Sequence, residues 1–233
     1  MQKSENEYVK GLRILLKANE NPENALAMKK YLRDKFEFFG IKSPLRKDLF
    51  RGHIKVHGWP EASAMEAVCI EMYSQPEREF HYFAIEMMDR NIKKLNRSAV
   101  KLFEFMIVSN AWWDTVDTIA ASVLGKFFKM YPDLILEVSK IWMNSGNIWL
   151  QRSCILFQLK YKKNTDTELL YSFIDKVKSS DEFFIRKAIG WILREYSKVN
   201  PSEVIEFTGR TVLKPLSRKE ALRIIEKKKL LKV

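Results

Sequence analysis

Residues 109–117 read SNAWWDTVD, and the same grammar returns as SGNIWLQRS at 145–153 and as SSDEFFIRKA at 179–188. Each copy opens on small polar residues, continues into aromatics and ends in charge. The serines belong to a longer series, Ser43, Ser74, Ser109, Ser145, Ser180 and Ser217, with successive separations of 31, 35, 36, 35 and 37 residues. A serine is a favoured helix N-cap, and an interval of this length is that of one helical hairpin. The series therefore predicts stacked helix pairs, each opening with a helix-start signal.

Outward from these markers, apolar residues recur at a spacing of 3.6, not 2. Ser4-Glu5-Asn6-Glu7 reads as a capping box, followed by Tyr8, Val9, Leu12, Leu15 and Leu16 on one stripe. Asn21-Pro22 opens a second helix with Ala25, Met28, Tyr31 and Leu32 on a face, and Ser217 with Glu220 opens a last one. Pro22, Pro44, Pro76, Pro132 and Pro201 all fall where helices would begin, where a missing N–H does no harm. No window alternates long enough for a sheet. The expected fold is an all-α superhelix of HEAT-like helical-hairpin repeats, a curved solenoid whose concave, basic groove is lined by one helix of each pair. No linker or charge break divides the chain. A single domain over 1–233 is expected, with 226–233 as a frayed basic tail.

Lys and Arg number 41 against 29 Asp and Glu, a net charge of +12, so a polyanionic partner is expected, although charge alone does not separate nucleic acid from an anionic membrane. No apolar run approaches the roughly 20 residues of a membrane span, and MQKSENEYVK lacks the apolar core of a secretory signal, so a cytoplasmic location is expected. Cys69 and Cys154 lie in apolar helical patterns and read as buried, reduced thiols. His53 and His57 are spaced i, i+4 without a third ligand or an intervening glutamate, so no zinc site is expected. His81 reads as a packed helix residue. No Gly-rich phosphate loop, nucleophile elbow or cysteine pair is present, and no cofactor is expected.

On a helix, Trp112, Val116, Ile119 and Val123 form an apolar stripe, with Trp113 and Asp117 together on its flank. Asp114 suits a first helical turn, where the dipole favours an acid. Asp117 lies too deep for that. Either a chemical task or a buried ion pair would account for it. Arg152 falls early in its helix, where the dipole disfavours a cation, and suits either a phosphate or Asp117 as its partner. A third cluster gathers Phe183, Phe184, Arg186, Lys187, Trp191 and Arg194.

The segments WWDTVD (112–117), NIWLQR (147–152), LFQLKYK (156–162) and FFIRKAIGWILREYSKVNP (183–201), with FEFFGIKSPLRK (36–47) ahead of them, resemble the AlkD-type alkylpurine DNA glycosylases. The resemblance runs through most of the chain. It implies a curved array of HEAT-like repeats that grips duplex DNA as a monomer and releases cationic alkylated purines without metal or other cofactor. It places the catalytic aromatics on Trp113 and Trp191, the catalytic carboxylate on Asp117 and the arginine on Arg152. Tyr31, Arg46, Lys47, Lys160, Phe183, Phe184, Arg186, Lys187 and Arg194, with Arg152, then become candidate DNA contacts. A DNA-structure binder without catalysis and a protein-interaction solenoid are the rival expectations.

Overall fold

The computed structural model describes residues 6–230, with side chains described up to Lys227. Its described residues are helical in nearly every segment, and a lone bridge between Glu37 and Glu77 is their extent of β pairing. None of their helices is long and apolar enough to cross a membrane. Contacts group the chain into two compact units, Met1–Leu102 and Phe103–Val233. The division falls inside a helix, Ala99–Val108, and nothing in the local composition marks it.

The first unit contains α1 (Glu7–Lys17), α2 (Pro22–Tyr31), α3 (Ser43–His57), α4 (Met65–Tyr73) and α5 (Arg78–Arg90). Asn6 caps α1, its side-chain oxygen accepting the Tyr8 N–H, while Ser4 and Glu5 of the expected capping box lie outside the described residues. Val9, Leu12 and Leu16 of α1 are fully buried, as its stripe requires, and α1 packs on α3 and α4. Between α2 and α3 the chain turns through Gly40 at φ 87°, where a Cβ would lie 2.0 Å from the Asn21 carbonyl oxygen. Only glycine fits that turn. The Glu79 carboxylate, fully buried on α5, accepts the N–H groups of Phe39 (3.2 Å), Gly40 (3.0 Å) and Ile41 (3.1 Å).

The second unit follows α6 (Ala99–Val108) with α7 (Trp113–Thr118), a π-helical segment (Ile119–Leu124) and α8 (Gly125–Met130), which run as one unbroken helical path. Then come α9 (Leu134–Asn144), α10 (Ile148–Leu156), α11 (Thr167–Val177), α12 (Phe183–Tyr196), α13 (Pro201–Arg210) and α14 (Pro215–Leu230). The later helix of each hairpin packs on the next: α7 and the π segment on α10, α10 on α12, and α12 on α14. This is the stack of helical hairpins that the repeat predicts.

The recurrent serines mark the turns and not the caps. Asn147, Asp166 and Asn200 cap α10, α11 and α13 with their side chains. Ser145 Oγ instead donates to the Trp142 carbonyl (2.7 Å) and accepts the Asn147 N–H (3.1 Å), and Ser180 Oγ accepts the Glu182 N–H (3.2 Å). Ser74 closes α4, Ser109 follows the end of α6, and Ser43 is the first residue of α3 without capping it. Ser74, Ser109, Ser145 and Ser180 follow the end of one helix and lead the chain toward the next, which preserves the period although the capping role fails. Ser217 lies inside α14, which begins at Pro215. The expected tail from 226 continues that helix to Leu230, and 231–233 lie outside the described residues. Pro22, Pro44 and Pro201 occupy first-turn positions, whereas Pro76 and Pro132 stand just ahead of the caps of α5 and α9.

Candidate active site

Stacking of the later helices lines up residues one repeat apart. Asp117 on α7 and Arg152 on α10 are 35 residues apart (152 − 117), and Lys187 on α12 follows after another 35 (187 − 152). Glu220 on α14 comes 33 later (220 − 187). Neighbouring helices thus pair an acid with a base twice. Asp117 accepts Arg152 through both oxygens, Nε to Oδ1 at 2.7 Å and Nη2 to Oδ2 at 2.8 Å. Glu220 accepts Lys187 Nζ at Oε1 (2.9 Å) and Arg194 Nη1 at Oε2.

These groups border a cavity of about 330 Å³. It is lined by Trp113 and Asp117 of α7, Arg152 of α10, Lys187, Trp191 and Arg194 of α12, and Glu220 of α14. Phe183 and Phe184 also line it. On α12 the lining positions 183/184, 187, 191 and 194 follow the i, i+3/i+4 rule of one helix face. The two indoles are half-buried, each with part of its surface on the opening.

Asp117 is 14% exposed and the Arg152 side chain 5%. Burial pushes the Asp117 carboxyl above the ordinary aspartate range, against the opposing pull of the Arg152 hydrogen bonds and charge; Asp114 adds a small upward push. Of the two alternatives left open for Asp117, the buried ion pair is present, and the same residue also lines the cavity. Asp114 lies in the first turn of α7. Trp112 is buried as the N-cap residue of α7, ahead of the helix, and Val116, Ile119 and Val123 are fully buried.

Arg152 departs from its sequence reading in its place on the helix, while the Asp117 partner is one of the two that reading left open. It is the fifth residue of α10, mid-helix and not early. Three of its nitrogens are already committed, two to Asp117 and Nη1 to the Phe184 carbonyl. A buried guanidinium with those partners holds a carboxylate in place, the second of the two roles left open for it.

The remaining candidates are dispersed. Phe184 joins Trp112 and Trp149 in a ring cluster, with centroids 5.0 Å and 4.9 Å from it, so the repeated aromatic mainly ties successive hairpins together. Phe183 is 50% exposed. Lys187 and Arg194 reach the cavity but are held by Glu220. Arg186 is half-buried outside the lining, its carbonyl accepting Ser217 Oγ. Lys160 is exposed and bonds Ser122 Oγ in the π segment at 2.6 Å. Tyr31, Arg46 and Lys47 belong to the first unit: Tyr31 is 71% exposed, Lys47 is exposed, and the Arg46 guanidinium stacks 4.2 Å from the Tyr82 ring.

Glu220 is the residue that the sequence reading missed. It passed as the partner of a helix cap at Ser217, whereas the 35-residue step from Asp117 through Arg152 to Lys187 leads to its neighbourhood. The other chemistry-bearing residues stand apart. Cys69 and Cys154 are buried, and burial pushes the Cys154 thiol up to about 12. The His53 and His57 rings lie 4.5 Å apart, tilted to each other, with Tyr8 edge-on to His53, and His81 sits buried between Arg78 and the Gln75 carbonyl.

The fold is that of a helical-repeat protein, with indoles and paired charges from successive hairpins lining one cavity. The family model for DNA alkylation repair enzymes matches residues 12–225, and the chain belongs to that family. Its role is accordingly in DNA alkylation repair, with DNA as the partner. A solved structure described as a predicted DNA alkylation repair enzyme from Enterococcus faecalis is similar to it, with a TM-score of 0.82 and 32% identity over 89% of this chain and 97% of that one. No curated protein matches the sequence.

Proposed function

We propose that the protein is a monofunctional DNA glycosylase that hydrolyses the N-glycosidic bond of cationic 7- and 3-alkylpurines in duplex DNA. The observation that carries this reading is a carboxylate fixed bidentately by a buried arginine at the wall of a cavity flanked by two half-buried indoles. Protein-bound cofactors have no part in the reaction as drawn.

A purine alkylated at N7 or N3 already carries a positive charge. When the bond from C1′ to the base nitrogen breaks, the bonding electrons neutralise the departing base, and no general acid is required. The barrier lies at the deoxyribose, which gains oxocarbenium character. An anion held close to that centre, in a site shielded from water, stabilises the developing charge. Asp117 takes this role and orients the water that adds to C1′, losing a proton to leave an abasic site. Trp113 and Trp191 turn electron-rich faces toward the sugar or the cationic base. Arg152 keeps Asp117 in position and favours its ionised form. Phosphate contacts fall to groups that Glu220 does not hold, among them Lys160 and, in the first unit, Tyr31, Arg46 and Lys47. The mechanism approaches the sugar and does not require extrusion of the base.

The test is release of 7-methylguanine from methylated duplex under single-turnover conditions. Asp117→Asn keeps the shape and removes the charge, and the rate should fall by about 10²–10³. Equal rates for wild type and variant would remove Asp117 from the mechanism. A wild type that binds duplex but releases no base would convert the reading to a non-catalytic DNA binder.

A further inference from the structure

The site contains a second carboxylate for which the reaction above has no use. Glu220 is 15% exposed and divides its oxygens between Lys187 and Arg194. Its position is set by backbone: α12 and α14 approach so closely at Gly190 that a Cβ there would lie 2.5 Å from Glu220 Cβ and 3.0 Å from the Ser217 carbonyl oxygen. Lys187 and Arg194 stand three residues before and four after Gly190, one turn to either side of that contact. The carboxylate is thereby placed midway between two cations that would otherwise be offered to DNA phosphate. It also changes the charge around the cavity. Arg152, Lys187 and Arg194 against Asp117 and Glu220 give 3 − 2 = +1, and without Glu220 the same site would stand at 3 − 1 = +2.

We propose that Glu220 is a specificity-determining residue, which withholds Lys187 and Arg194 from the phosphates of undamaged DNA and keeps the cavity near enough to neutral to admit a cationic purine nucleoside. The second half rests on the glycosylase reading; the first requires only that the protein binds duplex DNA. A simple helix tie would need one partner for Glu220 and would not require both cations of the cavity wall. A carboxylate that competes with phosphate loosens the grip on ordinary duplex, because each cation available to the backbone adds about 0.9 to the slope of log affinity against log salt. It also lowers the repulsion felt by a lesion that carries its own positive charge.

Glu220→Gln preserves shape and one hydrogen bond while removing the charge. Two measurements apply: affinity for undamaged duplex across a salt series, and single-turnover release of 7-methylguanine. The variant should bind undamaged duplex about tenfold more tightly at low salt, with a slope steeper by about 1 to 2. Base release should slow about tenfold. Lys187→Gln in the otherwise native chain should leave the slope nearly unchanged, because Glu220 already holds that lysine; in the Glu220→Gln background it should take back about half of the added slope. A Glu220→Gln protein with a native melting profile and an unchanged or shallower slope overturns the proposal, and so does a full single-cation loss of slope in Lys187→Gln alone. If wild type releases no base, the glycosylase reading fails while the salt series still decides whether Glu220 withholds the two cations.

Discussion

Two buried carboxylates, one in each unit, divide the labour of this molecule. Glu79 is sealed in the first unit and spends both oxygens on the backbone N–H groups of Phe39, Gly40 and Ile41. Asp117 in the second unit spends both on one guanidinium, yet remains 14% exposed at a cavity wall. Burial pushes both carboxyls above their ordinary range, Glu79 against its backbone hydrogen bonds and Asp117 against Arg152. A perturbed carboxylate is therefore not evidence of chemistry in itself; what separates the two is whether any acceptor surface faces open space. Glu79 fixes a connector, and Asp117 keeps part of its surface on the cavity.

That contrast is broken most sharply by removing one charge at a time. Asp117→Asn carries the largest effect, the loss of two to three orders of magnitude in base release given above, with the fold retained. Glu79→Gln should show the opposite profile. Its amide cannot accept from all three N–H groups, and a buried donor left without its charged acceptor costs about 1–3 kcal/mol. A loss of about 3 kcal/mol in denaturant unfolding is expected, with base release per folded molecule within about twofold of wild type. A reversal, in which Glu79→Gln fails catalytically while Asp117→Asn merely unfolds, would exchange the two assignments.

A smaller effect concerns how the second unit holds its site together. Gly190→Ala places a methyl against Glu220 Cβ and the Ser217 carbonyl, so α14 must move away from α12. Overpacking of this kind costs about 1–3 kcal/mol. The variant should melt earlier and also bind undamaged duplex more steeply with salt, because Glu220 would no longer sit between Lys187 and Arg194. Destabilisation without the change in slope would show that the close approach serves packing alone.

These differences also set what the sequence reveals. The hairpin period is legible because its aromatic and charged markers recur at positions that stacking superimposes, whereas Trp113, Asp117, Arg152 and Trp191 are joined into one site only by the family resemblance. Glu79 is not legible. Its partners are backbone N–H groups whose residue types carry no pattern, and only the turn at Gly40 hints that a constraint lies nearby. The π segment is likewise hidden, because Ile119, Ala120, Val123 and Leu124 suit an α-helical stripe equally well. Glu220 was concealed by a plausible local meaning, and tertiary pairing overrode the capping role that its spacing from Ser217 suggested.

Acidity supplies the finest test of the contrast, because it acts on both carboxylates in the same direction with different consequences. Each has a folded-state pKa raised by burial, so each takes up protons in the folded chain before it would in the unfolded one. By linkage, their contribution to stability is fully present below the unfolded values and is lost as pH rises through the folded ones. Falling pH therefore relieves the fold at these two positions while it removes the Asp117 anion. Base release should decline along an acid limb centred above the ordinary aspartate value of 3.8, while circular dichroism stays native through the same window. The residual activity of Asp117→Asn should lack that limb, whereas Glu79→Gln should retain it. A limb that persists in Asp117→Asn would mean that another group limits the rate in acid, and one at or below 3.8 that is lost in the variant would mean that Arg152 outweighs burial at Asp117.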